Sequence, residues 1–196
     1  MSRELTAGFE ASFEIASSLL EEFRKDPQVL ASLTSTAASV RDVFERGAKI
    51  LIAGNGGSLA DAMHFAEEWT GRFRKERQPF PVIVLGNDPT HMSCVGNDYG
   101  FEEIFARMVV AFAQPGDLLI LLSTSGNSEN LVRAAKAAKV KNIGVVGFLG
   151  KGGGALLPLC DWVVMAPGET SDRIQELHML SLHVLIEVVE RALGVA

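Results

Sequence analysis

The chain has 196 residues, of which 47% are hydrophobic and 21% charged, and a formal net charge of −6. A chain of this length suits one domain, 1–196, and buries roughly 70% of its unfolded surface on folding. The acidic balance argues against a nucleic-acid partner, which calls for clustered Lys and Arg, but leaves open a small phosphorylated ligand held by backbone N–H groups.

The amino-terminal stretch MSRELTAGFEASFE carries acidic residues where a signal peptide needs an apolar core. No apolar run approaches the ~20 residues of a membrane span. A cytoplasmic protein with no membrane partner is expected. Cys94 and Cys160 stand in no metal-binding spacing. They are expected to be buried free thiols of a reduced compartment.

Phe9, Phe13, Ala16, Leu20 and Phe23 step by four and three, the narrow seam of a coiled-coil-like helix. Pro27 ends that helix, and a second is predicted from about Gln28 to Arg46, with Gly47 as its stop. These N-terminal helices, about 1–46, need a partner surface, on the domain or on another subunit. Strands and helices then alternate. AKILIA (48–53), PVIVLG (81–86), DLLILLS (117–123), NIGVVGF (142–148) and DWVVMA (161–166) are apolar nearly throughout, as strands buried on both faces of a parallel sheet are. Helices are predicted at about 58–71, 101–113, 128–140 and 172–193. The alternation predicts an α/β fold, a three-layer sandwich around a mostly parallel five-stranded sheet. The stretch 85–93, with Pro89 and His91, reads as a loop, and His91 receives no role beyond loop polarity. Gly-Lys-Gly-Gly-Gly (150–154) reads as a flexible loop.

Ligands of parallel α/β sheets bind at the carboxyl ends of strands, and two such ends are alike. Gly54-Asn55-Gly56-Gly57-Ser58 and Ser123-Thr124-Ser125-Gly126-Asn127-Ser128 each follow an apolar strand and open a helix. Glycines let the backbone approach a ligand, and helix N-termini attract anions. Plain capping is the bland alternative, since Ser, Thr and Asn are good caps. A cap needs one hydroxyl, however, and the second loop has four. No P-loop lysine and no G-x-G-x-x-G is present, so a nucleoside triphosphate or a dinucleotide is a poor fit.

On the helix from Ser58, Ala62, Phe65, Ala66 and Trp69 form the core stripe, and His64 and Glu68 lie opposite, one turn apart. They are a solvated pair unless something covers them. The last helix is the candidate cover. It is apolar most of the way round, which suggests an oligomer, and its few polar residues include Gln175, His178, His183 and Glu187. Gln175, three residues after Asp172, could complete a capping box. His178 reads as a core histidine with one hydrogen bond. Gln175 and His183 are eight residues apart, ~12 Å along a continuous helix and roughly 80° apart in direction. They do not reach one ion from one such helix. Either the helix breaks near Glu176, or the two act from different subunits, the option favoured here.

NGGS-LADAMHFAEEWTGRF, SCVGNDYGFEEIF, STSGNS and SDRIQELH-MLSLH together resemble the phosphoheptose isomerases of the sugar isomerase (SIS-domain) group, over nearly the whole chain and in the same order. STSGNS marks only the wider group; H-x-x-x-E after NGGS with Q-x₇-H is more specific. The resemblance implies interconversion of D-sedoheptulose 7-phosphate and D-glycero-D-manno-heptose 7-phosphate, which supplies heptose for bacterial surface polysaccharide such as lipopolysaccharide. It implies Glu68 as base and His183 as acid/base partner. It implies one zinc per subunit on His64, Glu68, Gln175 and His183. Asn55, Gly56, Gly57, Ser58, Ser123, Thr124, Ser125 and Ser128 would hold the sugar phosphate, with Asn97, Asp98, Asp172, Gln175 and Glu68 as further substrate contacts. It also implies a homotetramer with sites between subunits. Leu59 stands where many relatives have alanine, and the 85–93 stretch is about a residue long. A zinc-bound Glu is a weaker base, so either its two roles alternate or the metal is partly structural. The rival readings are a non-catalytic SIS protein that binds a sugar phosphate or the replication initiator, and an isomerase for another ketose phosphate. The presence of both Glu68 and His183 counts against the non-catalytic protein.

Overall fold

The computed structural model describes residues 2–196. Its five strands are β1 (Ile50–Gly54), β2 (Val82–Val84), β3 (Leu118–Ser123), β4 (Gly144–Gly150) and β5 (Trp162–Ala166). They form one sheet in the order β2-β1-β3-β4-β5. Every neighbouring pair is parallel, so the sheet is parallel throughout. The α-helices among the described residues are α1 (Ser2–Lys25), α2 (Pro27–Glu45), α3 (Gly57–Thr70), α4 (Pro89–Asp98), α5 (Ile104–Phe112), α6 (Glu129–Val140) and α7 (Ser171–Ala192).

The strands are apolar on both sides because both sides are covered. Ile50, Ile52, Ile120, Leu122, Val146 and Phe148 face a core shared with α1, α2, α3 and α7. Leu51, Ala53, Leu119, Leu121, Val145 and Leu149 face the core of α4, α5 and α6. These are the three layers the sequence predicts. Pro27 starts a helix more than it ends one. It is the first residue of α2, where its missing N–H costs nothing, and Asp26 caps the helix by accepting from Gln28 N–H at 2.7 Å.

Three readings are corrected. The stretch around Pro89 and His91 is a helix, α4, opened by Asp88, whose carboxylate accepts from Thr90 and His91 N–H. His91 is no loop residue: its Nε2 meets the Ile104 carbonyl at 2.9 Å. The predicted loop at 150–154 is confined to residues 151–153. Gly150 completes β4, and a 3-10 helix occupies Gly154–Leu159. Both cysteines are free, but Cys94 is exposed, because α4 buries only Val95. Cys160 is half-buried, and that burial pushes its thiol up to about 12.

The chain enters the sheet at β1 and leaves it on opposite sides, to β2 and then to β3. The carboxyl ends of β1 and β3 therefore flank the topological switch point, where such sheets bind ligands.

Candidate functional site

The turns after β1 and β3 meet at that point around a cleft of about 220 Å³. Asn55 and Ser58 of the first turn, Ser123, Thr124, Ser125 and Ser128 of the second, and Ser171 and Gln175 of α7 line it. Asn55 and Asn130 exchange side-chain amide hydrogen bonds at 3.0 and 2.9 Å, tying the first turn to the start of α6. Ser123 Oγ accepts from Gly126 N–H at 3.0 Å, and Ser125 Oγ accepts from Asn127 N–H at 3.2 Å. A hydroxyl that accepts in this way keeps its own proton to donate. Thr124 and Ser171 hydroxyls lie 3.0 Å apart and join the loop to α7.

The cleft gathers the amino ends of α3, α6 and α7, and the N-cap hydroxyls of Ser128 and Thr170 make no side-chain cap hydrogen bond. Converging helix N-termini carry partial positive charge, which suits an anion. Gly57 allows α7 to come close, since a Cβ there would stand 2.6 Å from Gln175 Oε1. Gln175 Nε2 in turn donates to Ser58 Oγ at 3.2 Å.

The glycine-rich segment after β4 is the wall behind the second turn. Gly126, at φ +66°, lies so close that a Cβ would fall 1.9 Å from the Gly153 carbonyl oxygen. Leu156 N–H donates to Gly126 O at 2.9 Å, and Ala155 N–H to Asn127 Oδ1 at 3.0 Å. Gly150, Gly153 and Gly154 permit close approach, whereas a Cβ at Gly152 would meet open space.

Further along the same two helices stands a second group. Ala62, Phe65, Ala66 and Trp69 are buried, as their spacing predicts, and His64 and Glu68 face away from that stripe toward α7. His64 Nε2 lies 3.3 Å from Glu68 Oε1 and 3.5 Å from His183 Nε2. Ligand atoms of the three lie within 4.8 Å of one another. The side chain of Glu68 is 15% exposed and that of His64 46%, so the cluster is open on one side. A tetrahedral zinc with ligands at ~2.0–2.1 Å has edges of about 3.4 Å, so both short separations fit such an ion. Two imidazoles and a carboxylate are also a donor set that catalytic zinc accepts, with a position left over. His64, Glu68 and His183 thus form a cluster able to hold a metal ion such as zinc.

Gln175 stands apart from them. Helix α7 is unbroken from Ser171 to Ala192, so the break considered near Glu176 does not occur. Gln175 faces the start of α3, and His183 meets His64 two turns further on. Within one chain the fourth expected ligand belongs to the cleft. Asn97 and Asp98, at the end of α4, are exposed, bond to each other at 2.7 Å and do not line the cleft. Asp172 is exposed in the first turn of α7, its carboxyl held below the usual range chiefly by the Thr170 hydroxyl. His178 is fully buried between the two stations and meets the Leu149 carbonyl at 3.2 Å; burial lowers its pKa to about 4.

Comparison with known proteins now adds to the geometry. A SIS-domain family model matches residues 13–150. The phosphoheptose isomerase of Fusobacterium nucleatum is 48% identical over 95% of this chain and 94% of its own length. That of Vibrio cholerae is 42% identical over 91% of this chain and 94% of its own. The solved phosphoheptose isomerase structure from Neisseria gonorrhoeae superposes with a TM-score of 0.89 at 32% identity, covering 95% of this chain and 99% of that one. The chain belongs to the phosphoheptose isomerase family. The structure from Francisella tularensis agrees, at a TM-score of 0.90. Among the described residues no helix is long and apolar enough to cross a membrane.

Sequence reasoning passed over three residues of this family member. Ser171 lines the cleft, and its signal was a hydroxyl at a helix start. Asn130 anchors Asn55, and nothing in the spacing marks it. Asp61, one turn before His64, has a buried oxygen without a partner, and burial raises its carboxyl to about 6.

Proposed function

We propose that the chain is an aldose–ketose isomerase that interconverts D-sedoheptulose 7-phosphate and D-glycero-D-manno-heptose 7-phosphate, a cytoplasmic step supplying heptose for bacterial surface polysaccharide. The observation that carries this reading is the pairing of an anion cleft and a His–Glu–His cluster on the same two helices. Gln175 at one and His183 at the other are ~12 Å apart along α7, a separation an extended seven-carbon sugar phosphate matches. The phosphate goes to the cleft, where Ser123, Thr124, Ser125, Ser128 and Ser171 offer hydroxyls and the helix N-termini offer N–H groups. The carbonyl end then lies at Glu68 and His183.

Isomerisation through an enediol moves one proton from C1 to C2 and another between the two oxygens. Glu68 takes and returns the carbon-bound proton, while His183 moves the proton between O1 and O2. Zinc on His64, Glu68 and His183 would supply Lewis-acid polarisation of the carbonyl. Asn97, Asp98 and Asp172 are further substrate contacts in this reading.

The chain is read as one domain, 1–196, a reading supported by the shared core of α1, α2, α3 and α7. It is also read as a subunit of a homotetramer. Phe9 and Phe13 of α1 and Leu180, Val184 and Val188 of α7 are exposed apolar residues at helical spacing. In such an assembly Gln175 of a second copy completes a cluster that it does not reach in its own chain.

The test is an isomerase assay on zinc-loaded protein with sedoheptulose 7-phosphate in deuterated water, followed by NMR. Aldose product with deuterium at C2 is expected, with loss of at least 1000-fold in rate in Glu68→Gln and a large loss in His183→Ala. Saturable binding of the sugar phosphate without turnover would overturn the enzyme reading in favour of a binding protein.

A further inference from the structure

Arg77 lies in the segment between α3 and β2, outside both the cleft and the cluster. Its side chain is 2% exposed, and that of its partner Glu190 is 3% exposed. Nε donates to Glu190 Oε1 at 2.6 Å, Nη2 to the Glu68 carbonyl at 2.7 Å, and Nη1 to the Trp69 carbonyl at 2.9 Å and the Gln78 carbonyl at 3.3 Å. The rings of Trp69 and Phe80 lie 5.3 and 5.2 Å from the guanidinium carbon.

A buried ion pair is a poor way to gain stability, because desolvation offsets most of the attraction and an apolar pair of similar volume often does better. What this pair does well is fix positions. Helix ends leave carbonyls unsatisfied and fray. Arg77 takes up two carbonyls of the last turn of α3, one of them that of Glu68 itself. Glu190 is seven residues, two turns, beyond His183 on α7. One guanidinium therefore ties the backbone of one cluster residue to the helix that carries another. A lysine, a point charge without the planar fork, does not span the same set of acceptors.

We infer that Arg77 and Glu190 are positioning residues that set the separation of Glu68 and His183, and so tune the affinity and geometry of the metal site. The inference rests on the metal-dependent reading of the cluster. It goes beyond that reading by assigning the tuning to a buried ion pair that touches no substrate.

The experiment compares wild type, Arg77→Lys, Glu190→Gln and the apolar double variant Arg77→Met with Glu190→Leu, which keeps a packed core without the clamp. Val145→Ala, in the core on the far side of the sheet, serves as a control for loss of stability alone. Zinc affinity is measured by competition with a chelating dye. Cobalt is substituted to read ligand geometry from its visible absorption, and calorimetry of metal-free protein gives the affinity for the sugar phosphate. The clamp variants are expected to bind zinc 10–100-fold more weakly, the scale seen when a residue orienting a metal ligand is removed. Their cobalt spectra should change and kcat should fall, with KM and metal-free sugar-phosphate affinity within about twofold of wild type. Val145→Ala should match wild type in zinc affinity and spectrum. A double variant that folds and retains wild-type zinc affinity and cobalt spectrum would overturn the inference. A wild type that binds no zinc would instead overturn the metal reading beneath it, and the clamp's assigned role with it.

Discussion

At the amino ends of α3 and α7 the groups lining the cleft are held by hydrogen bonds within the two turns and from the segments that back them. Ser123 and Ser125 hold N–H groups of their own loop, Asn55 and Asn130 hold each other, and the 150–159 segment backs the loop with its main chain. Two turns further along the same helices, His64, Glu68 and His183 are side chains facing one another across a helix–helix seam, open to solvent on one side. The cleft is held by bonded side chains and main chain of its two turns and of α6 and α7. The cluster depends on how two helices are set against each other. The cleft combines loop-internal bonds with a few long-range pairs, Asn55 with Asn130 and Ser58 with Gln175 among them. A group that must meet reacting atoms is built from long-range contacts, which can be displaced separately.

That comparison breaks most visibly at Gly126. Alanine there meets a positive φ and a backbone oxygen 1.9 Å away, and backbone cannot move aside as a side-chain end can. The combined cost is on the order of 3–5 kcal/mol, from an unfavourable φ and from overpacking. Gly126→Ala is expected to lower sugar-phosphate affinity by at least 100-fold in calorimetry while the protein still binds zinc within a few-fold of wild type. Equal loss of both would show that cleft and cluster are not separable.

A second effect bears on what the two stations share. His178 sits between Gln175 and His183 on α7 and is neutral in the fold, with a pKa of about 4 against 6.5 for the free residue. The unfolded chain takes up this proton more readily, so its contribution to stability is full above about pH 6.5, falls as pH drops toward 4, and levels off below. The loss is on the order of 3 kcal/mol. Denaturant titrations of wild type and His178→Gln across that range should differ in slope, with the wild type steeper. Parallel curves would mean that His178 does not titrate differently in the folded and unfolded chain.

What could be read in the sequence divides along the same line. The strands, the two Gly/Ser turns and the His64–Glu68 face are local patterns, and they stand where period and turn chemistry place them. Helix α4 was hidden because Pro-Thr-His-Met-Ser-Cys-Val-Gly-Asn-Asp buries only Val95 and so shows no apolar period. Asp88 before Pro89 was the available signal, an N-cap followed by proline at the first helical position. The 150–154 glycines marked the turn at 151–153 but not the close approach of Gly150, Gly153 and Gly154, which composition does not announce. Arg77 with Glu190, 113 residues apart, and Asn55 with Asn130, 75 apart, are tertiary pairs that no spacing announces.

The smallest expected effect is the most diagnostic for Gln175. At Gly57 an added Cβ meets only the amide end of Gln175, at 2.6 Å, and that end can swing away. Swinging breaks the hydrogen bond to Ser58 Oγ, which costs about 1 kcal/mol. Alanine in the first turn of α3 returns roughly 0.5–1 kcal/mol through its lower backbone entropy loss. Gly57→Ala should therefore leave the melting temperature within a few degrees of wild type and raise KM for the sugar phosphate several-fold. If Gln175 serves the cleft of its own chain, zinc affinity stays unchanged. If it also completes the cluster of a neighbouring copy, displacing its amide weakens zinc in the same variant, and the two roles separate by whether zinc affinity falls with dilution of the protein.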